Sequence, residues 1–300
     1  IRTAILQCVM LEEQYRMHPE MVAWISTRFY HGRLRCGQSL LLSGMAVPFH
    51  RDTLFRPYVF HDVTYGRQDR TVAEDQSYSN RAEREFVRQL LQRFVQQYGT
   101  TVTLPNGQTR PLQIGVIAPY NRHVRSMAST ILSVLPKSCF PKGVGPKVST
   151  VDSFQGSEQD IIILSCVRAP TSSAAPTPVD SSSGSAAASG RSSPPTPYNN
   201  GHGETGIGFL KNPNRLNVAF TRSRFALWIV GHQATLAQGE DWGSMLFDAQ
   251  VRGLVMRWER PPNEQGWSPS LQPLIALSSR RQPPAQPAQR PLAARPPPRQ

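Results

Sequence analysis

Ile161-Ile162-Ile163-Leu164-Ser165-Cys166-Val167 is a nearly unbroken apolar run. A strand with one wet face alternates apolar and polar residues. A continuous run is instead the pattern of a strand covered on both faces, as in a parallel sheet. Ile114 to Ala118 repeats that pattern, Tyr58 to Val63 and Phe225 to Val230 add two β-rich runs, and Lys147-Val148-Ser149 reads as a short strand. Helical patterns fall between them. Pro19 suits the first position of a helix running to about Tyr30, which Gly32 would close. Asn80 with Glu83 predicts an N-terminal cap. Phe86, Val87, Leu90, Leu91, Phe94, Val95 and Tyr98 follow at helical spacing, and Gly99 ends the element. Further helices are expected over Arg122 to Leu135, from Pro213 with Asn212 as cap, and over Trp242 to Val251. Strand and helix in alternation predict an α/β layered fold.

The chain has 300 residues, a formal charge of +13 and a pI near 10.3. That balance favours a polyanionic partner, either nucleic acid or an acidic membrane surface. Only Lys137, Lys142, Lys147 and Lys211 are lysines; arginine, with its bidentate fork and planar face, suits nucleic acid. Cys8, Cys36, Cys139 and Cys166 form no CxxC pair and read as reduced thiols of an intracellular protein. The histidines show no metal spacing, and no apolar run approaches the roughly 20 residues that span a bilayer. Because the first residue is Ile1, the chain is expected to be part of a longer polypeptide. Residues 169–206 are dominated by Ser, Ala, Pro and Gly, and residues 259–300 by Pro, Gln and Arg. Both segments are expected to be disordered, as an insertion and a tail, leaving residues 1–168 and 207–258 as the folded domain.

The candidate chemistry begins with Arg215-Leu-Asn-Val-Ala-Phe-Thr-Arg-Ser-Arg224. Read as one amphipathic helix pinned by Leu216, Ala219 and Phe220, it puts Arg215 and Arg222 on the same face, seven residues apart. Arg222 and Arg16 are the candidates for sensing a phosphoryl group, since guanidinium groups can stabilise charge on transferring oxygens. Tyr15 could stack on an adenine ring and Glu158 could accept from a ribose hydroxyl. Thr150 to Gly156 forms a corner after a strand, where hydroxyls and amides suit phosphate or ribose. Pro119-Tyr120-Asn121 follows a parallel strand, the end at which ligands bind. Plainer readings stand beside each: surface arginines, a half-buried tyrosine, a solvated glutamate, an ordinary turn. Gly143-Val-Gly-Pro-Lys147 is not a phosphate loop, because Pro146 separates the glycine from Lys147, and no Asp-Glu pair at a strand end offers to hold magnesium.

Taken together, Leu11-Glu-Glu-Gln-Tyr-Arg-Met-His-Pro19, Phe29-Tyr-His-Gly32, Ile117-Ala-Pro-Tyr120, Thr150-Val-Asp-Ser-Phe-Gln-Gly-Ser-Glu158, Ile163 to Arg168 and Arg215 to Arg222 resemble the second RecA-like domain of superfamily 1 helicases. The group is the one that includes the nonsense-mediated-decay helicase and senataxin. The resemblance implies a RecA-like parallel sheet flanked by helices. It implies catalytic Arg16 and Arg222 on the γ-phosphate of ATP, Tyr15 near the adenine and Glu158 on the ribose, with Pro119, Tyr120, Ser149 and Thr150 along the bound strand. It further implies a first RecA-like domain, absent from this sequence, holding the phosphate loop and most of the Mg2+ ligands. The expected activity is that of the C-terminal half of a helicase coupling ATP hydrolysis to movement on single-stranded RNA or DNA. The location implied is intracellular, nucleus favoured over cytoplasm, with no membrane partner. A non-catalytic nucleic-acid-binding protein that kept the fold is the alternative.

Overall fold

In the computed structural model, described over residues 9–43, 45–70, 77–104, 106–134, 145–171, 206–261 and 270–271, the apolar runs lie side by side. We label the strands β1 (Tyr58–Val63), β2 (Ile114–Ala118), β3 (Lys147–Thr150), β4 (Gln159–Ser165), β5 (Ser223–Gly231), β6 (Val255–Trp258) and β7 (Ser270–Leu271). They form one sheet in the order β7-β6-β1-β5-β4-β2-β3. The first six pair parallel and only β7 runs antiparallel. β4 lies inside the sheet: Ile161 to Leu164 pair with Ile114 to Ile117 on one side and with Ala226 to Ile229 on the other.

Five helices cover the faces: α1 (Pro19–Phe29), α2 (Arg81–Tyr98), α3 (Asn121–Val134), α4 (Pro213–Phe220) and α5 (Glu240–Val251). Ile162 and Leu164 share a core with residues of α1, α4 and α5, whereas Ile161 and Ile163 face α2 and α3. Both faces of β4 are therefore dry, which is why its sequence does not alternate. Local signals set the helix ends. The His18 side chain accepts from Glu20 N–H ahead of Pro19, and Gly32, at φ 73°, returns its N–H to the Ser26 carbonyl. Asn212 accepts from the N–H groups of Asn214 and Arg215 and so starts α4.

The expected fold class holds, with differences that have physical causes. β4 ends at Ser165, because Val167 takes a positive φ and turns the chain. β6 was not expected; it is short, and pairing with β1 defines it more than its composition does. Asn80 caps α2 through Glu83 N–H as expected, but the Glu83 carboxylate does not return to the Asn80 N–H; it turns into the core. Ala169 to Thr171 belong to the described fold: Gln68 holds Ala169 and bridges to Thr171. Residues 172–205 of the expected insertion lie outside the described residues, as do 262–269 and 272–300 of the expected tail, Leu135, Cys8 and Cys139. Cys36 and Cys166 are free thiols.

Candidate functional site

A short knot after Gln14 sets the first cluster. The Gln14 side-chain oxygen accepts from Arg16 N–H and Met17 N–H at 2.9 and 2.7 Å, and its amide donates to the Met17 carbonyl. Met17 is thereby buried, Tyr15 is turned outward, and Arg16 is sent toward β4 and β5. Tyr15 is 62% exposed; its hydroxyl donates to Glu13 at 2.6 Å, and its ring lies where a Cβ on Gly37 would sit.

Arg16 Nε donates to Glu158 Oε2 at 2.5 Å, and Nη1 donates to the Thr221 carbonyl at 2.9 Å. Arg16 thus reaches the residue beside Arg222. Arg222 Nε donates to the Val218 carbonyl, and among the described residues Arg222 forms no ion pair. Burial lowers the pKa of Arg222, and the neighbouring Arg16 charge lowers it further, against opposing effects of Tyr30 and Glu158. The two candidate phosphate sensors converge. Glu158 lies between Arg16 and Arg224, which donates to its Oε1 at 2.6 and 3.1 Å. Arg224 first and Arg16 second hold the Glu158 carboxyl below its ordinary range. The ladder continues inward. Arg224 reaches Asp160, fully buried, which Arg110 grips in a bidentate pair at 2.5 and 2.7 Å. The sequence reading did not pick out Arg224, Asp160 or Arg110; the alternation of Arg222 and Arg224 around buried Ser223 was the available signal.

One expectation is overturned. α4 stops at Phe220, so Arg222 lies beyond it and shares no helix face with Arg215. Arg215, in the first turn, pairs with Asp152 through two 3.0 Å bonds and lies over the Phe209 ring at 4.7 Å. The Thr221 N–H and hydroxyl fold back onto the Asn217 and Val218 carbonyls, and Gln159 N–H then takes the Arg222 carbonyl at the foot of β5. Pairing into the sheet, together with this side-chain cap, ends the helix early.

The second cluster lies at the other end of the sheet. Ser149 and Thr150 stand opposite Ile117 and Ala118 at the carboxyl ends of β3 and β2, beside Pro119 and Tyr120. Thr150 Oγ1 accepts from Ser153 N–H at the following corner. Pro119 and Thr150 line a shallow pocket with Asp152, Phe209, Arg215 and Leu216. Tyr120 is 6% exposed, its ring 5.2 Å from Tyr78 and 5.8 Å from Phe209, so it faces the core more than solvent. The cation cluster sits at the amino ends of β4 and β5. The length of β4 at about 3.3 Å per residue puts the two clusters roughly 20 Å apart. Phe209, half exposed beside the pocket, was not singled out from sequence.

Residues 2–234 match the AAA domain family. The chain is 28% identical over 246 residues to Helicase SEN1 of Saccharomyces cerevisiae, covering 82% of this chain and 9% of that protein. It is 30% identical over 256 residues to the human Probable helicase senataxin, covering 85% and 8%. To the Drosophila melanogaster Regulator of nonsense transcripts 1 homolog it is 30% identical over 246 residues, covering 79% and 16%. The chain thus spans less than a fifth of the length of each of these relatives. No helix among the described residues is long and apolar enough to cross a membrane.

Proposed function

The chain belongs to the AAA domain family, as a superfamily 1 helicase domain of the senataxin and nonsense-transcript-regulator group, and from that premise we propose that it is the second motor domain of an ATP-dependent helicase acting on single-stranded RNA or DNA, RNA favoured. The convergence of Arg16 and Arg222 carries this reading. Arg16, which shares Glu158 with Arg224, and Arg222, without an ion pair among the described residues, repel each other and suit an anion. A γ-phosphate lodged against a neighbouring RecA-like domain supplies it, and as the phosphoryl group transfers, both cations stabilise the charge on its oxygens. The exposed Tyr15 ring is open to stack on the adenine. Drawing Arg16 toward the phosphate frees Glu158 Oε2 to accept from a ribose hydroxyl. Exposed Val9, Leu11 and Leu41, in the segments flanking the small parallel pair Glu13–Gln14 with Arg35–Cys36, give the neighbouring domain an apolar seat.

The bound strand runs along Pro119, Tyr120, Ser149 and Thr150 at the carboxyl ends of the sheet. α4 links the ends, with Arg215 beside the strand surface and Arg222 beside the phosphate. Magnesium does not fit the residues present. Glu158 is already shared by two arginines and Asp160 is buried under Arg110, so the ion belongs with the first domain. The location we infer is intracellular, with the nucleus favoured. A binding module without turnover is the alternative, and Arg222 discriminates. In the full-length protein, Arg222→Ala should abolish ATP hydrolysis while single-strand binding survives, and the 300-residue chain alone should show no turnover. Undiminished hydrolysis by Arg222→Ala would overturn the assignment.

A further inference from the structure

Glu83 is a fully buried carboxylate that no step above uses. Its Oε2 accepts from the Ser165 hydroxyl at 2.7 Å and from Val167 N–H at 2.8 Å, and its Oε1 accepts from Asn80 Nδ2 at 3.1 Å. His123, equally buried, receives Asn80 N–H on Nδ1 at 3.2 Å. Its Nε2 must then carry the proton and donate to Ser165 Oγ at 3.0 Å. Ser165, Val167 N–H and Asn80 all approach Glu83 as donors, so both of its oxygens serve as acceptors. Asn80 Nδ2 also donates to the Val167 carbonyl at 3.1 Å. Both peptide groups flanking Val167 are therefore gripped.

What is gripped is strained. Val167 is β-branched yet sits at φ 69°, and Arg168 N–H donates across it to the Cys166 carbonyl at 2.8 Å, closing a γ-turn. Such backbone persists only where its surroundings impose it. The turn sends Arg168 inward, where its guanidinium donates to the Gly206 carbonyl and lies 4.0 Å from the Tyr78 ring centroid, and the Tyr78 ring in turn packs against Tyr120 at 5.2 Å.

We propose that Glu83, with Asn80 and Ser165, is the positioning residue of the strand-side surface, locking Val167 in its left-handed turn so that Arg168, through Tyr78, fixes Tyr120 beside Pro119. The role of that surface rests on the helicase reading; the locking of the turn does not. A thermal cycle on the 300-residue chain tests the lock. Glycine takes a positive φ without steric cost. Val167→Gly relieves the strain but also empties a buried side chain, so the readout is the coupling and not its own melting temperature; Glu83→Gln should lower the wild-type melting temperature by several degrees. In the Val167→Gly background the Glu83→Gln loss should fall to half or less. Equal losses in both backgrounds would make Glu83 an ordinary core partner and overturn the proposal. Should Glu83→Gln fail to fold, Ser165→Ala replaces it in the same cycle. Arg168→Lys keeps the charge and loses the planar fork. Its affinity for a fluorescein-labelled oligouridine, read by anisotropy where every variant is folded, should drop about fivefold. An unchanged affinity would remove Arg168 from the chain of support and overturn that half of the proposal. If the wild-type chain does not bind the oligouridine, the strand-binding reading fails, and the thermal cycle still decides what holds the turn.

Discussion

Glu158 holds Arg16 with one oxygen and Arg224 with the other, so a single carboxylate keeps two cations in place at the foot of β4. Its side chain is 35% exposed, and partly exposed pairs are worth little individually because solvent screens them. Glu158→Gln should therefore cost only about 1 kcal/mol in urea unfolding, and the difference should shrink in 1 M NaCl as the charges are screened. A loss above about 3 kcal/mol that ignores salt would mean the pair behaves as a buried one. Arg16, Arg222 and Glu158 could be singled out because the runs that hold them resemble helicase motifs, and the structure brings the three to one end of the sheet. The role of Arg224 was not legible. Arg222 and Arg224 look equivalent in sequence, and only the arrival of Glu158, 66 residues away in the chain, separates the paired arginine from the one without a carboxylate. Tyr15 could not be placed in advance either, since the Gln14 knot that turns it outward depends on a side chain accepting two backbone N–H groups.

α4 shows how far an element can be read from its own residues. Its start was legible: Asn212 followed by Pro213 is a cap and a first helical position, and Asn212 Oδ1 does accept from Asn214 and Arg215 at 3.0 and 3.2 Å. Its end was not legible, because the chain leaves the helix to pair with β4, and pairing partners distant in sequence carry no local signal. The same reason hid β6. Asn212→Ala should cost about 1 kcal/mol of global stability. Faster amide exchange should be confined to the first turn of α4, around Asn214 and Arg215. Because Arg215 rises from that turn to meet Asp152, loss of the cap should also weaken oligouridine binding, with Arg222 chemistry at the far end less affected. Exchange that quickens evenly along the helix would mean that the apolar contacts of Leu216, Ala219 and Phe220, rather than the cap, hold its start.

Across the whole molecule, the doubly covered sheet forces titratable groups into dry surroundings, and their shifts set how stability follows pH. Burial lowers His61 and His123 to about 3 and the adjoining pair His18 and His50 to about 4. Each stays neutral in the folded state while its unfolded counterpart protonates below about 6.5, so stability is complete above that value and falls as pH drops toward the folded pKa. Burial raises Asp62 to about 6 and Glu83 to about 8, which acts in the opposite direction: their contribution is present at low pH and is lost as pH climbs through those values. Below about pH 6, the four histidines against the two acids leave a net uptake on unfolding of about two protons, or roughly 2.7 kcal/mol per pH unit at most. The half-buried His18 and His50 contribute less than the two enclosed rings. Above pH 6.5 only the acids remain, and stability declines gently toward pH 8. Urea midpoints should therefore trace a dome with its crest near pH 6.5, steeper on the acid side. Glu83→Gln, having no proton to lose, should flatten the alkaline side and, with one of the two opposing acids gone, steepen the acid side toward a net uptake of about three protons. Midpoints that rise steadily from pH 5 to pH 8 in the wild type would show that the donors around Glu83 outweigh its burial and that its carboxyl titrates near the ordinary range.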